Sequence, residues 1–231
     1  VCLIGLLAVA IGHVVEQSAN ASQESARTLQ KGVSVKMAGA NNAQPMPEAD
    51  YADAWIVTVT ADGRVYFGVD AVTPASLRER ITRTPHRRGQ KLYIKADARA
   101  SFASVQKALD AASIAEFESP VLLVGQPSPA SPGTMVAPKG LEITMDGATN
   151  SGAKSVVELN RTPGGSPTVR IDDQEVPFSA LHDRLHQLAE SKKDKTILFR
   201  ADGRSAFGDV ARVIDACQAA GESVVIAMPV V

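Results

Sequence analysis

One stretch of this chain occurs twice, and the repeat limits what the chain can fold into. The first copy is Lys91-Leu-Tyr-Ile-Lys-Ala-Asp97-Ala-Arg-Ala-Ser-Phe102, continuing through Val105 and Leu109 to Asp110. The second is Thr196-Ile-Leu-Phe-Arg-Ala-Asp202-Gly-Arg-Ser-Ala-Phe207, continuing through Val210 and Ile214 to Asp215. Asp97 and Asp202, Phe102 and Phe207, and Asp110 and Asp215 are each 105 positions apart. Each copy reads as a short apolar strand ending on Ala-Asp, then a turn, then a helix with an apolar stripe at 3.6-residue spacing. A chain of 231 residues fits one large or two small domains, and the repeat decides for two.

The flanking segments repeat as well. Lys31-Gly-Val-Ser-Val-Lys-Met37 alternates apolar and polar residues as a half-buried strand does, and Lys139-Gly-Leu-Glu-Ile-Thr-Met145 echoes it. Trp55 to Thr60 is rich in β-branched residues, and Asp62-Gly63 supplies the hairpin turn to a return strand over Arg64–Phe67. Val156 to Arg161, a turn at Gly164-Gly165 and Thr168 to Ile171 are the second-unit counterparts. Thr73 before Pro74 predicts an N-cap, with Leu77 and Ile81 on the buried face; Ser101 is placed to cap the helix after Asp97. Leu181, Leu185 and Leu188 mark the matching helix of the second unit. Pro120 to Val124 and Ser223 to Ala227 close the two units as strands. The predicted architecture is α+β: two tandem two-layer α/β sandwich domains, each a mixed sheet with two helices on one face. The units are 32–125 and 140–231, joined by a proline-rich linker over 126–139.

The chain opens with Val1 to Val15, apolar apart from His13, followed by a polar tether over 16–31. Fifteen helical residues span about 22 Å, short of a hydrocarbon core of ~30 Å. The reading taken is part of a transmembrane helix. The rivals are a signal peptide cleaved near Ala19-Asn-Ala21 and a lipid anchor at Cys2.

A net charge of −1 and an aromatic content of 4% argue against a nucleic-acid-binding surface. Cys2 and Cys217 suggest neither a disulfide nor a metal site. Asp97 and Asp202 end strands, where carboxylates often act, but the simpler expectation is that each accepts N–H bonds in its turn. Asp110 and Asp215 read as solvated helix flanks. His182 and His186 share a helix face as metal ligands can, yet no third ligand accompanies them and the first unit has no such pair. Seven basic residues between Arg78 and Lys95, Arg87 and Arg88 among them, face one acid, Glu79. They read either as a dock for an acidic partner or as a solvated face. No nucleophile elbow, phosphate-binding loop or paired-carboxylate motif appears, so neither enzyme activity nor a cofactor is expected.

The order of these pieces resembles the ExbD/TolR family of energy-transduction proteins. It rests on the Gly-Val-x-Val strand after an apolar segment, the Val59 to Tyr66 hairpin, the Val72-Thr-Pro74 helix start, the Ile94 to Asp97 strand and the Phe102 to Val105 helix. The resemblance implies a single-pass subunit of the bacterial inner membrane with its domains in the periplasm. It further implies a multi-helix partner of the ExbB/TolQ/MotA kind, and contact with a TonB/TolA-like protein or peptidoglycan. The family's coupling aspartate lies in the membrane helix, and no acidic residue precedes Glu16 here. Two units in one chain, where the usual member has one and dimerises, imply an internal pseudo-dimer or a homodimer. Strand addition at a sheet edge is the expected contact, through Val33, Val35 and Met37 and their copies Leu141, Ile143 and Met145.

Overall fold

A computed structural model describes residues 33–85, 89–114, 119–125, 137–146, 155–161, 166–192 and 195–227. Two mixed sheets and four helices make up this part of the chain. The apolar leader, Gly164-Gly165 and most of the proline-rich linker lie outside the described residues.

The first sheet is built on Trp55–Val59 (β2), Leu92–Ala96 (β5) and Val121–Val124 (β6), which run parallel. Val65–Phe67 (β3) returns antiparallel on β2, and Asp70–Val72 (β4) adds one more strand outside it. The other edge carries Lys139–Glu142 (β7), antiparallel on β6, and then the two-residue Gln44–Pro45 (β1). By sequence, β7 belongs with the second repeat, and its ladder is in the first sheet. Gly140 makes that seat possible, because a Cβ there would lie 2.3 Å from Val121 Cγ1 and 3.1 Å from Met46 Cγ.

The second sheet repeats the plan. Ser155–Arg161 (β9), Thr196–Ala201 (β12) and Ser223–Ala227 (β13) are parallel; Pro167–Ile171 (β10) and Gln174–Val176 (β11) extend one edge. Thr144–Asp146 (β8) lies parallel on β13 at the other. The β10–β11 turn holds both Asp172 and Asp173 at positive φ, 45° and 69°. Aspartate tolerates that region better than most residues do.

Pro74–Arg83 (α1) and Phe102–Ile114 (α2) pack on one face of the first sheet. Alternate strand residues (Val57, Val59, Ile94, Ala96, Leu122) share a core with Leu77, Ile81, Phe102 and Val105. Thr73 and Ser76 form a reciprocal capping box at the start of α1, as the Thr-Pro pair predicts. The opposite face of the sheet is also apolar. Ile56, Tyr93, Val121 and Leu123 are covered there by Met46 and Ala49, the latter in a short 3-10 helix at Pro47–Asp50. In the second unit Leu181–Ser191 (α3) and Phe207–Ala219 (α4) take the places of α1 and α2. One continuous core holds Phe102 and Leu109 of the first unit together with Phe199, Phe207 and Ile214 of the second.

The expected Gly32–Met37 strand is not present over 33–36. Only Met37 makes a bridge, antiparallel to Asp97, because the edge of β6 is already filled by β7.

Candidate functional site

The two repeated helices start against each other. The first N–H groups of any α-helix have no partner within it. In α2, Phe102 N–H donates to the Ser205 carbonyl and Ala103 N–H to that of Gly203, both at 2.9 Å. In α4, Phe207 N–H donates to Ala100 at 2.9 Å and Gly208 N–H to Ala98 at 2.8 Å. Each bond has its mate 105 positions along the chain, so the two units meet in the reciprocal pattern of an isologous contact. The approach is close: a Cβ on Gly203 would lie 3.0 Å from Ala103 Cβ, and one on Gly208 would lie 3.2 Å from the Ala98 oxygen. No side chain caps α4; the opposite unit's backbone does. The Phe102 and Phe199 rings meet edge to face at 6.4 Å beneath the junction.

Asp97 and Asp202 hold the turns that make this junction. Asp97, buried, accepts the N–H of Arg99 at 3.0 Å and of Lys36 at 3.1 Å, and takes the Arg99 guanidinium at 2.8 and 2.9 Å. The guanidinium, helped by those N–H groups, keeps the carboxyl well below the usual range although burial opposes it. Asp202 repeats the arrangement with Arg204, at 2.9 Å to the N–H and 3.1 and 2.7 Å to the guanidinium, which brings its pKa down to about 2. Both carboxylates are thus occupied in fixing turns, as the simpler expectation has it. The arginine partners were legible in the paired spellings Asp97-Ala-Arg99 and Asp202-Gly-Arg204.

Asp215 corrects the expectation of a solvated flank. It is 6% exposed, and its carboxylate accepts the N–H groups of Asn41 at 3.0 Å and Asn42 at 2.8 Å and the Asn42 side-chain amide at 3.3 Å. The donors lie more than 170 positions away, so no local pattern announces them. Asp110 is half-buried, and burial raises its pKa against the pull of Arg78.

Among the described residues, three members of the basic cluster pair with acids. Arg80 pairs with Asp70 at 2.9 Å, Arg83 with Glu79 at 2.8 Å and Lys91 with Glu142 at 3.0 Å. Lys95 is buried, and that burial lowers its pKa against the opposing charge of Asp50. Arg87 and Arg88 lie outside the described residues. His182 and His186 stack edge to face with ring centroids 4.4 Å apart, and no group of metal-ligating residues forms among the described residues. Val33 and Val35 are half-buried. Leu141 and Ile143 are buried inside the molecule, and Met145 sits in the edge strand β8. An open cleft of about 370 Å³ lies beside the 3-10 helix, lined by Glu48, Tyr51, Asp53, Gln90, Lys91 and Tyr93. Burial pushes the Tyr93 phenol up to about 12.

The two α+β units cap each other's helices through their repeated turns. The family model for biopolymer transport protein ExbD/TolR matches residues 25–126 and again residues 121–229. The chain belongs to the ExbD/TolR family, a transport-associated family whose members are typically membrane-anchored with a periplasmic domain and generally work with ExbB/TolQ-type partners. No curated protein and no solved structure matches the chain. Among the described residues no helix is long and apolar enough to cross a membrane.

Proposed function

We propose that this chain is the periplasmic, membrane-anchored subunit of an ExbD/TolR-like energy-transduction complex of the bacterial inner membrane, supporting transport across that membrane. The observation that carries the reading is the family match across both units in succession. The apolar segment Val1 to Val15 would supply a single-pass anchor, and the two units would stand together in the periplasm as an internal pseudo-dimer. Its membrane partner would be a multi-helix protein of the ExbB/TolQ/MotA kind, and its periplasmic contact a TonB/TolA-like protein or peptidoglycan. Val33, Val35, Met37, Met145, Arg87 and Arg88 are the residues proposed to meet partners. Leu141 and Ile143, buried here, would do so only by exchange. The role requires no catalytic group and no cofactor.

The test is affinity purification of the full chain from detergent-solubilised membranes. Co-purification of a protein with three or more membrane helices is expected, together with loss of the coupled transport when the chain is deleted. Recovery in the soluble periplasmic fraction with no such partner would overturn the proposal. That second result would fit a peptidoglycan- or protein-binding module without a motor role.

A further inference from the structure

We propose that residues 36–42 form a strap that locks the junction between the two units, with Asp215 as its catch. The strap is anchored first on the unit it leads into. Lys36 N–H donates to Asp97 at 3.1 Å, Ala98 N–H to the Lys36 carbonyl at 2.8 Å, Gly125 N–H to Ala38 at 2.8 Å and Ala40 N–H to Gly125 at 3.0 Å. It then crosses to the other unit. The N–H groups of Asn41 and Asn42 and the Asn42 amide all end on the Asp215 carboxylate of α4, at 3.0, 2.8 and 3.3 Å. Ala38 and Ala40 are buried within it and Ala43 just after it, so the strap is packed down as well as bonded.

The two attachments differ in kind. Four bonds, three of them purely backbone, hold the strap to the first unit, whereas a single side chain receives all three of these bonds from the strap to the second. Hydrogen bonds to a charged acceptor are the stronger class, and removing a buried acceptor strands its donors. Releasing Asp215 therefore frees Asn41 and Asn42 from the second unit and leaves the anchoring on the first unit in place. Asp97 is common to the anchor and to the turn that carries Ala98 and Ala100 into the junction, so strap and junction share one fixture. The units part only when the strap leaves its catch. This inference concerns the fold itself and does not need the transport reading.

Amide hydrogen exchange on the full chain tests it, comparing wild type with Asp215→Ala and with the isosteric Asp215→Asn. Loss of the catch is expected to speed exchange at Asn41 and Asn42 by about ten- to a hundred-fold. The junction amides of Phe102, Ala103, Phe207 and Gly208 should rise with them, while Ile94 and Leu198 in the sheets keep their wild-type rates. Asp215→Asn decides the matter if the alanine variant does not fold. Strap amides that stay protected, or a freed strap with the junction unchanged, would overturn the proposal. So would an equal rise at Ile94 and Leu198, the mark of a residue that merely stabilises the whole fold.

Discussion

The N–H of Gly208 donates to the carbonyl oxygen of Ala98 at 2.8 Å, and a Cβ on Gly208 would lie 3.2 Å from that oxygen. Replacing Gly208 with valine forces the two units apart at this point. Overpacking of this kind costs about 1–3 kcal/mol, and a lower thermal midpoint is the expected result. Valine at Thr82, exposed on α1, serves as the control and should move the midpoint little.

Phe102 belongs to the first repeat but packs on Phe199 of the second within one core. Phe102→Ala should cost about 3–5 kcal/mol, as truncation of a fully buried aromatic does. Because the core is shared, Trp55 fluorescence and amide exchange at Val225 should report the same loss. A transition that shifts by the first probe alone would mean the two units unfold separately.

Asp97 and Asp202 have folded pKa values below their unfolded ones, so each adds stability that is complete above the unfolded value near 4. That contribution is lost as pH falls through the folded value, which for Asp202 is about 2. Denaturant midpoints should therefore drop between about pH 4 and pH 2. Asp202→Asn should flatten the upper part of that drop. The remaining loss belongs partly to Asp97, whose lower folded pKa extends it to lower pH.

The capping box at Thr73 and Ser76 gives a local prediction. Thr73→Ala removes the acceptor of the Ser76 N–H and should destabilise by about 1 kcal/mol. Serine at the same position restores the bond. Chemical denaturation of the three proteins checks the order, and an alanine variant as stable as wild type would contradict the cap.

Much of this fold is legible in the sequence because its signals are local. The Thr73-Pro74 start, the Asp62-Gly63 hairpin, the leucine stripe of α3 and the strand endings at Asp97 and Asp202 are set by spacing over a few residues. The outer hairpin strands β4 and β11 are not legible there because each is three residues long and largely exposed, which leaves no apolar alternation to read. Placing β7 in the first sheet depends on how Gly140 fits against Val121 and Met46, a matter of tertiary shape. The same holds for the junction. The Phe102 and Phe207 amides look like ordinary helix starts, and their partners appear only once the two copies are folded face to face. Asp215 looks solvated for the same reason.

The repeated turns cap each other's helices and join the units into one body. Native-state hydrogen exchange at the Phe102 and Phe207 amides of the wild-type chain tests it most directly, because first-turn amides of a helix are unprotected unless something outside the helix receives them. Mutual capping predicts that both exchange as slowly as Ile94 and Leu198 in the two sheets. Rapid exchange at Phe102 and Phe207, with the sheets still protected, would contradict it.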